Sequence, residues 1–190
     1  WDGAREDKYG TTKKSNIGFF AQSDYDTGKT TYSIGARGEW VNYSHGGEEG
    51  ANLTKDDSFI AYDIGINRAI DDHLSIFSNL NYSFLAPDID RFFGYNTNWT
   101  DRVFNGFIDP TLVTTLNIGG HHVTPKNKAK LTFYAITLKH EQFYNPKTDT
   151  NTNIDSSYKL GLEFQDKFIF NNSLSASINY AYTRPFIDYE

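Results

Sequence analysis

Cysteine is absent from all 190 residues, and so is methionine. The first absence excludes a disulfide frame, a thiolate metal site and a cysteine nucleophile. Basic residues are the minority: 18 Lys and Arg against 24 Asp and Glu give a net charge of −6 and a pI near 5.3. Nucleic-acid binding needs a basic footprint, so nucleic acid is not an expected partner. No apolar run approaches the roughly 18 residues of a membrane-spanning helix. That leaves membrane strands open, because their signal per segment is much weaker. The chain opens at Trp1 without a signal-peptide pattern, and is read as mature, trimmed or cut from something longer. There is no phosphate loop and no Gly-x-Ser-x-Gly context.

What the chain does have is aromatic residues and a period of two. Phe, Tyr and Trp make up 16%, and aromatic and β-branched residues favour strands. Ile60, Tyr62, Ile64 and Ile66 alternate with Phe59, Ala61, Asp63, Gly65 and Asn67, as in a strand with two unlike faces. Yet the chain is polar overall, with a mean hydropathy of −0.59. One face of each strand is too hydrophilic for a core. Lipid on one side and water on the other fits that combination, as in the wall of an outer-membrane barrel.

Seven further stretches read as strands. Over 17–26, Ile17, Phe19, Ala21 and Tyr25 share a face opposite Gln22, Asp24 and Asp26. Over 31–43, Tyr32, Ile34, Ala36 and Trp40 alternate with Ser33, Arg37 and Glu39. The stretches 74–84, 112–118, 158–165 and 174–183 alternate likewise. The stretch 128–144 is ambiguous, because Leu131, Phe133, Ala135 and Tyr134, Ile136, Leu138 are both apolar; a bulge or a covered lumen face would account for it. The connections alternate short and long. Turns at 26–29, 71–73, 119–127 and 171–173 are short, while 45–57, 85–110 and 145–153 are expected to be loops. Tight periplasmic turns and long external loops do this. Tyr25, Tyr32, Tyr43, Tyr82, Tyr144 and Tyr182 near strand ends suit interfacial girdles. The expected fold is all-β: an antiparallel up-and-down transmembrane wall of about eight strands.

No catalytic constellation stands out, and no enzyme activity, metal site or cofactor is expected. His121 and His122 are adjacent and, on a strand, would point to opposite faces. Asp149, Asn151, Asn153 and Asp155 alternate like a calcium loop, but Ile154 and Leu160 stand where its Gly and Glu belong. The sequons at Asn52, Asn98 and Asn171 need a eukaryotic secretory host. The binding candidates lie in the longest loop: Arg91, Phe92, Phe93, Tyr95, Trp99, Arg102 and Phe104. Aromatics with two arginines suit a bulky anionic ligand through stacking and charge-assisted bonds. The competing reading is that these rings pack the loop against its neighbours.

Three segments resemble the barrel of TonB-dependent outer-membrane receptors. Ser83-Phe84-Leu85-Ala86-Pro87, followed by Phe93-Gly94, is similar to the motif that closes a strand and opens an external loop; Leu85 stands where Arg is usual. The segment from Asn153 and Ile154 to Gly161, Leu162 and Glu163 resembles the Asn-Ile … Gly-Val-Glu strand with its spacing intact. Ile34-Gly35-Ala36-Arg37 looks like the Gly-Leu-Arg-Tyr-Asp strand, with Gly38 and Glu39 departing from it. The family-motif residues are thus Arg37, Phe84, Ala86, Pro87, Asn153, Gly161 and Glu163.

The resemblance implies that residues 1–190 are an internal part of a barrel of about 22 strands, without the plug domain or TonB box. It implies the outer membrane of a Gram-negative bacterium, and uptake of a ferric siderophore or similar large metal chelate driven by TonB. The implied partners are outer-membrane lipid, the plug and remaining strands, TonB through that plug, and the chelate. The alternatives are a small eight-stranded outer-membrane barrel with an anchoring or adhesive role, or a soluble ligand-binding β-barrel. The soluble form requires Ile60, Ile64, Leu80 and Ile178 to point inward.

Overall fold

The computed structural model describes residues 2–7, 10–47, 52–95 and 101–188, with side chains from residue 10 to residue 186. Strands dominate, and no α-helix occurs among the described residues. In chain order they are β1 (Asp2–Asp7), β2 (Gly10–Asp26), β3 (Thr30–Gly47), β4 (Asn52–Ala69), β5 (Leu74–Leu85), β6 (Phe93–Tyr95), β7 (Arg102–Phe104), β8 (Thr111–Val123), β9 (Asn127–Asn145), β10 (Thr150–Asn171) and β11 (Leu174–Asp188). One 3-10 turn, Ile89–Phe92, precedes β6. The main sheet runs β1-β2-β3-β4-β5-β8-β9-β10-β11, each strand antiparallel to its neighbours in that order. β6 and β7 form a separate small hairpin inside the long loop. Among the described residues the sheet stays open, with β1 and β11 at its edges.

All eight expected strands are present, and β1 is an addition, pairing only with the end of β2 from Gly10 to Ser15. The strands are longer than the alternation indicated. β10 has 22 residues, where about 9–11 suffice to cross a membrane. This extension corrects two of the expected loops. β3 continues to Gly47 and β4 starts at Asn52, while 145–153 shrinks to a turn between Asn145 and Thr150. Beyond the apolar band both faces of a strand meet water, so no alternation marks it.

Register assigns the faces. Ile17 lies opposite Trp40, Ile34 opposite Ile64, Ile64 opposite Leu80, and Leu80 opposite Leu116. This apolar face is the outer one: Ile60 is 70% exposed, Ile64 49% and Ile178 65%. The inward, dry arrangement that a soluble barrel requires is therefore not what this chain adopts. The ambiguous strand resolves as well. Leu131, Phe133 and Ala135 pair with outward Gly120, Ile118 and Leu116. Tyr134 points inward, and its hydroxyl meets Thr183 Oγ1 across β10. Gly161 leaves the space for that ring, since a Cβ there would sit 2.1 Å from Tyr134 Cζ.

The four short turns sit at one end of the sheet, and each is closed by a side-chain acceptor. Asp26 Oδ1 accepts from Gly28 N–H at 2.6 Å, and Gly28 takes φ +84°. Asp71 Oδ1 accepts from the N–H groups of His73 and Leu74, at 2.7 and 2.8 Å. These two bonds hold the Asp71 carboxyl below its ordinary range. Thr124 Oγ1 and Asn171 Oδ1 serve the other two turns in the same way. Asx and ST turns explain why Asp, Thr and Asn stand there.

The wall itself encloses no dry interior. The buried cluster of Val41, Tyr43, Phe59, Ile89, Phe92 and Phe93 lies where the long loop folds back on the inner face of β3 and β4.

Candidate functional site

The inner face at the far end of β2–β4 carries Thr12, Lys14, Asn16, Glu39, Val41, Tyr43 and His45, all set on one side by the same alternation. The loop between β5 and β8 is pinned on this surface at both ends. At its start, the Pro87 carbonyl accepts from Lys14 Nζ and from the Tyr43 hydroxyl, each at 2.9 Å. Lys14 Nζ also stands 3.5 Å from Asp88 Oδ1. At its end, Asn153 holds Asp109 with both amide atoms. Its Oδ1 accepts from Asp109 N–H at 2.8 Å, and its Nδ2 donates to Asp109 O at 2.9 Å and His140 O at 2.7 Å. Lys55 Nζ reaches Ile108 O and Asp109 Oδ1 at 3.1 and 2.6 Å. That hydrogen bond is the main cause holding the Asp109 carboxyl below its ordinary value.

Between these anchors the loop is glued by rings. Phe92 is fully buried, edge-on to Tyr43 at 5.0 Å and to Phe107 at 5.1 Å. Phe104 lies flat on the His45 imidazole, centroids 4.0 Å apart and planes 8° from parallel. His45 is itself fixed by Thr12 Oγ1 at 2.7 Å. Phe93 packs edge-on to both His45 and Phe104. Three of the candidate aromatics, Phe92, Phe93 and Phe104, thus spend their rings on holding the loop.

Arg91 and Tyr95 face the β9–β10 hairpin, and Arg102 lies over Tyr95. Arg91 is exposed and its Nη1 donates to Asn151 Oδ1 at 3.3 Å. Tyr95 N–H donates to Asp149 Oδ2 at 2.8 Å, and the Tyr144 hydroxyl donates to the other oxygen of the same carboxylate. Arg102 lies over the Tyr95 ring at 5.9 Å, with its Nε buried and without a hydrogen-bond partner among the described residues. Trp99 lies outside the described residues.

The family-motif residues fall into the same framework. Phe84 stacks on Phe59 at 4.6 Å, Ala86 packs against the buried cluster, and Pro87 and Asn153 are the two anchors. Arg37 pairs with the buried Glu39, whose other oxygen accepts from Asn16 Nδ2 at 2.7 Å. Glu163 shares the inward side of β10 with Gly161. Lys14, Tyr43, Lys55 and Asp149 were not among the binding candidates, and Tyr43, expected in an interfacial girdle, is instead buried on the inner face. Carrying the alternation of β2 back from Ile17 to Lys14, and that of β3 on to Tyr43, would have put the first two on the inner face.

A family model described as TonB dependent receptor-like, beta-barrel matches residues 1–190. The chain belongs to the TonB-dependent receptor family. Solved receptors share its fold. The copper transporter OprC superposes with a TM-score of 0.75 at 15% identity, covering 93% of this chain and 29% of that one. The ferric yersiniabactin uptake receptor FyuA from Yersinia pestis gives 0.74 at 14% identity, covering 94% and 28%. The FrpB iron transporter from Neisseria meningitidis (F3-3 variant) gives 0.71 at 17%, covering 95% and 27%. At such identities the likeness is one of fold, and the chain spans under a third of each receptor's length. No match is found among curated proteins. TonB-dependent receptors are outer-membrane proteins of Gram-negative bacteria, and the family is one of transport receptors, not enzymes.

Proposed function

We propose that this chain forms part of the wall, lumen surface and external rim of a receptor that imports a ferric siderophore or similar anionic metal chelate, driven by TonB through a plug domain. Membership of the family supports the transport reading, as do structural relatives named for copper, iron and ferric yersiniabactin. The observation that carries the site is the division of labour within the long loop. Phe92, Phe93 and Phe104 fix its base, which leaves Arg91, Tyr95 and Arg102 beside the β9–β10 hairpin. Two guanidinium groups next to an aromatic ring suit a chelate with anionic oxygens. The buried, unpartnered Arg102 Nε is a donor for which such a ligand supplies an acceptor.

The test is deletion of 91–104 in the intact receptor, followed by radiolabelled chelate uptake and by heat-modifiability of the barrel. Uptake is expected to be abolished with the wall still folded. The Arg91→Ala and Arg102→Ala changes should each weaken chelate binding about tenfold or more, the cost of a lost charge-assisted bond. Undiminished uptake by the deleted receptor removes this loop from the site.

A further inference from the structure

The β4–β5 ladder ends at the pair Tyr62–Tyr82, although β4 continues to Asn52 and β5 to Leu85. Above that pair the strands part, and a cavity of about 490 Å³ lies there. Ser58, Ile60, Tyr82 and Leu112 line it with side chains that register assigns to the outer face. Phe59 and Pro110 add apolar surface. A second hollow of about 550 Å³ shares Ser58, Phe59 and Ile60, and continues over Gly38 to Phe19 and Trp40. Gly38 keeps it open: a Cβ there would meet nothing nearer than a Trp40 ring carbon at 3.9 Å. Together the two hollows make one apolar trough on the outside of the wall.

A lysine and a histidine stand beside it. His140 lines the first cavity and takes φ +53°. Lys139 pairs with Ser156 and Glu141 with Ile154 in unbroken register, so His140 stands opposite Asp155, a position the ladder skips. A left-handed, non-glycine residue departs from the extended backbone of its strand and turns its side chain away from the strict alternation. Lys139 lies directly opposite Leu112 on the outer face and makes no ion pair with a described residue. Asp109 also lines the cavity, but its carboxylate is already paired with Lys55 at 2.6 Å. Depth agrees with charge. Ile60 is nine residues from Ala69 at the short-turn end, and Lys139 is twelve from Asn127. A strand crosses the hydrocarbon in about 9–11 residues. The trough therefore lies high in the apolar band, and Lys139 and His140 stand where headgroups begin.

We propose that the trough seats an acyl chain of a phosphorylated lipid from the surrounding leaflet, with its phosphate held by Lys139 and His140. The apolar walls supply burial for the chain. The ammonium and an imidazole N–H donate to the phosphate oxygens from just above it. A free phosphate ion would use Lys139 and His140 but not the trough, and this separates the two sources.

The experiment uses the full-length receptor, stripped of lipid in detergent and titrated with dioleoyl phosphatidic acid under native mass spectrometry. One phosphatidic acid molecule is expected to be retained more tightly than dioleoylglycerol. Gly38→Leu, which fills the trough, and the double change Lys139→Gln with His140→Gln should each weaken retention about tenfold. Millimolar inorganic phosphate should leave retention unchanged. The two variants act on opposite ends of the site, so one that misfolds leaves the other as the test. Equal retention by wild type and variants, or displacement by inorganic phosphate, overturns the proposal. Solute uptake is not the readout, so failure here leaves the transport reading intact.

Discussion

At the scale of single residues, two of the family-like segments turn out to be fasteners. Pro87 contributes a carbonyl and Asn153 a whole carboxamide, and between them they fix the two ends of one loop. The Asn153→Leu change keeps the side-chain volume and removes three hydrogen bonds. It should cost about 1–3 kcal/mol and speed amide exchange in the loop, which exchange mass spectrometry of the receptor can follow. Acid should act on the same fastening. The Asp109 carboxyl is held low by its Lys55 bond, so what it contributes is whole above the ordinary carboxylate value of about 3.9. That contribution is lost as pH falls through the lowered folded value. Loop amides are expected to keep their protection from neutral pH down to about pH 4 and to exchange faster, relative to intrinsic rates, below it. Protection that stays constant through that range removes Asp109 from the anchor.

At the scale of elements, the alternation carried most of the information. Ile60 to Ile66, Leu74 to Tyr82 and Ile178 to Tyr182 face outward as their period of two requires. Ile64 is five residues from Ala69, near mid-depth. The Ile64→Arg change should therefore cost about 2–4 kcal/mol in a lipid-reconstituted urea titration. Asn117→Arg, on the inward side of β8, should cost far less. Equal costs would reverse the assigned faces. What the pattern did not disclose was where strands stop. The segments 44–47 and 150–155 are rich in Gly, Ser, Thr and Asn, and water wets both their sides, so nothing periodic survives in the sequence. The loop candidates show a second limit. Seven residues with suitable chemistry could be picked out, but whether Phe92 or Phe93 turns toward solvent depends on Tyr43 and His45, some fifty residues earlier. The fastening role of Pro87 was equally hidden, because it uses a backbone atom.

At the scale of the whole molecule, the sheet has two edges. β11 pairs on one side only, along fifteen positions with β10. Unpaired strand edges template association. Released into detergent as a separate chain, this segment should self-associate with increasing concentration in sedimentation velocity. A Pro placed at Asn179 or Ala181 should reduce that association. A concentration-independent monomer would mean that the edges close on each other.

The length of β10 has a physical consequence for cargo. At about 3.3 Å per residue and a tilt of about 45°, its 22 residues rise about 50 Å, twice the ~25 Å apolar band. About half of β10 therefore projects into the aqueous medium as part of a hydrated collar. A charged cargo docking on that collar keeps its solvation on arrival, and the dielectric cost of passing the slab falls on a later stage of its journey.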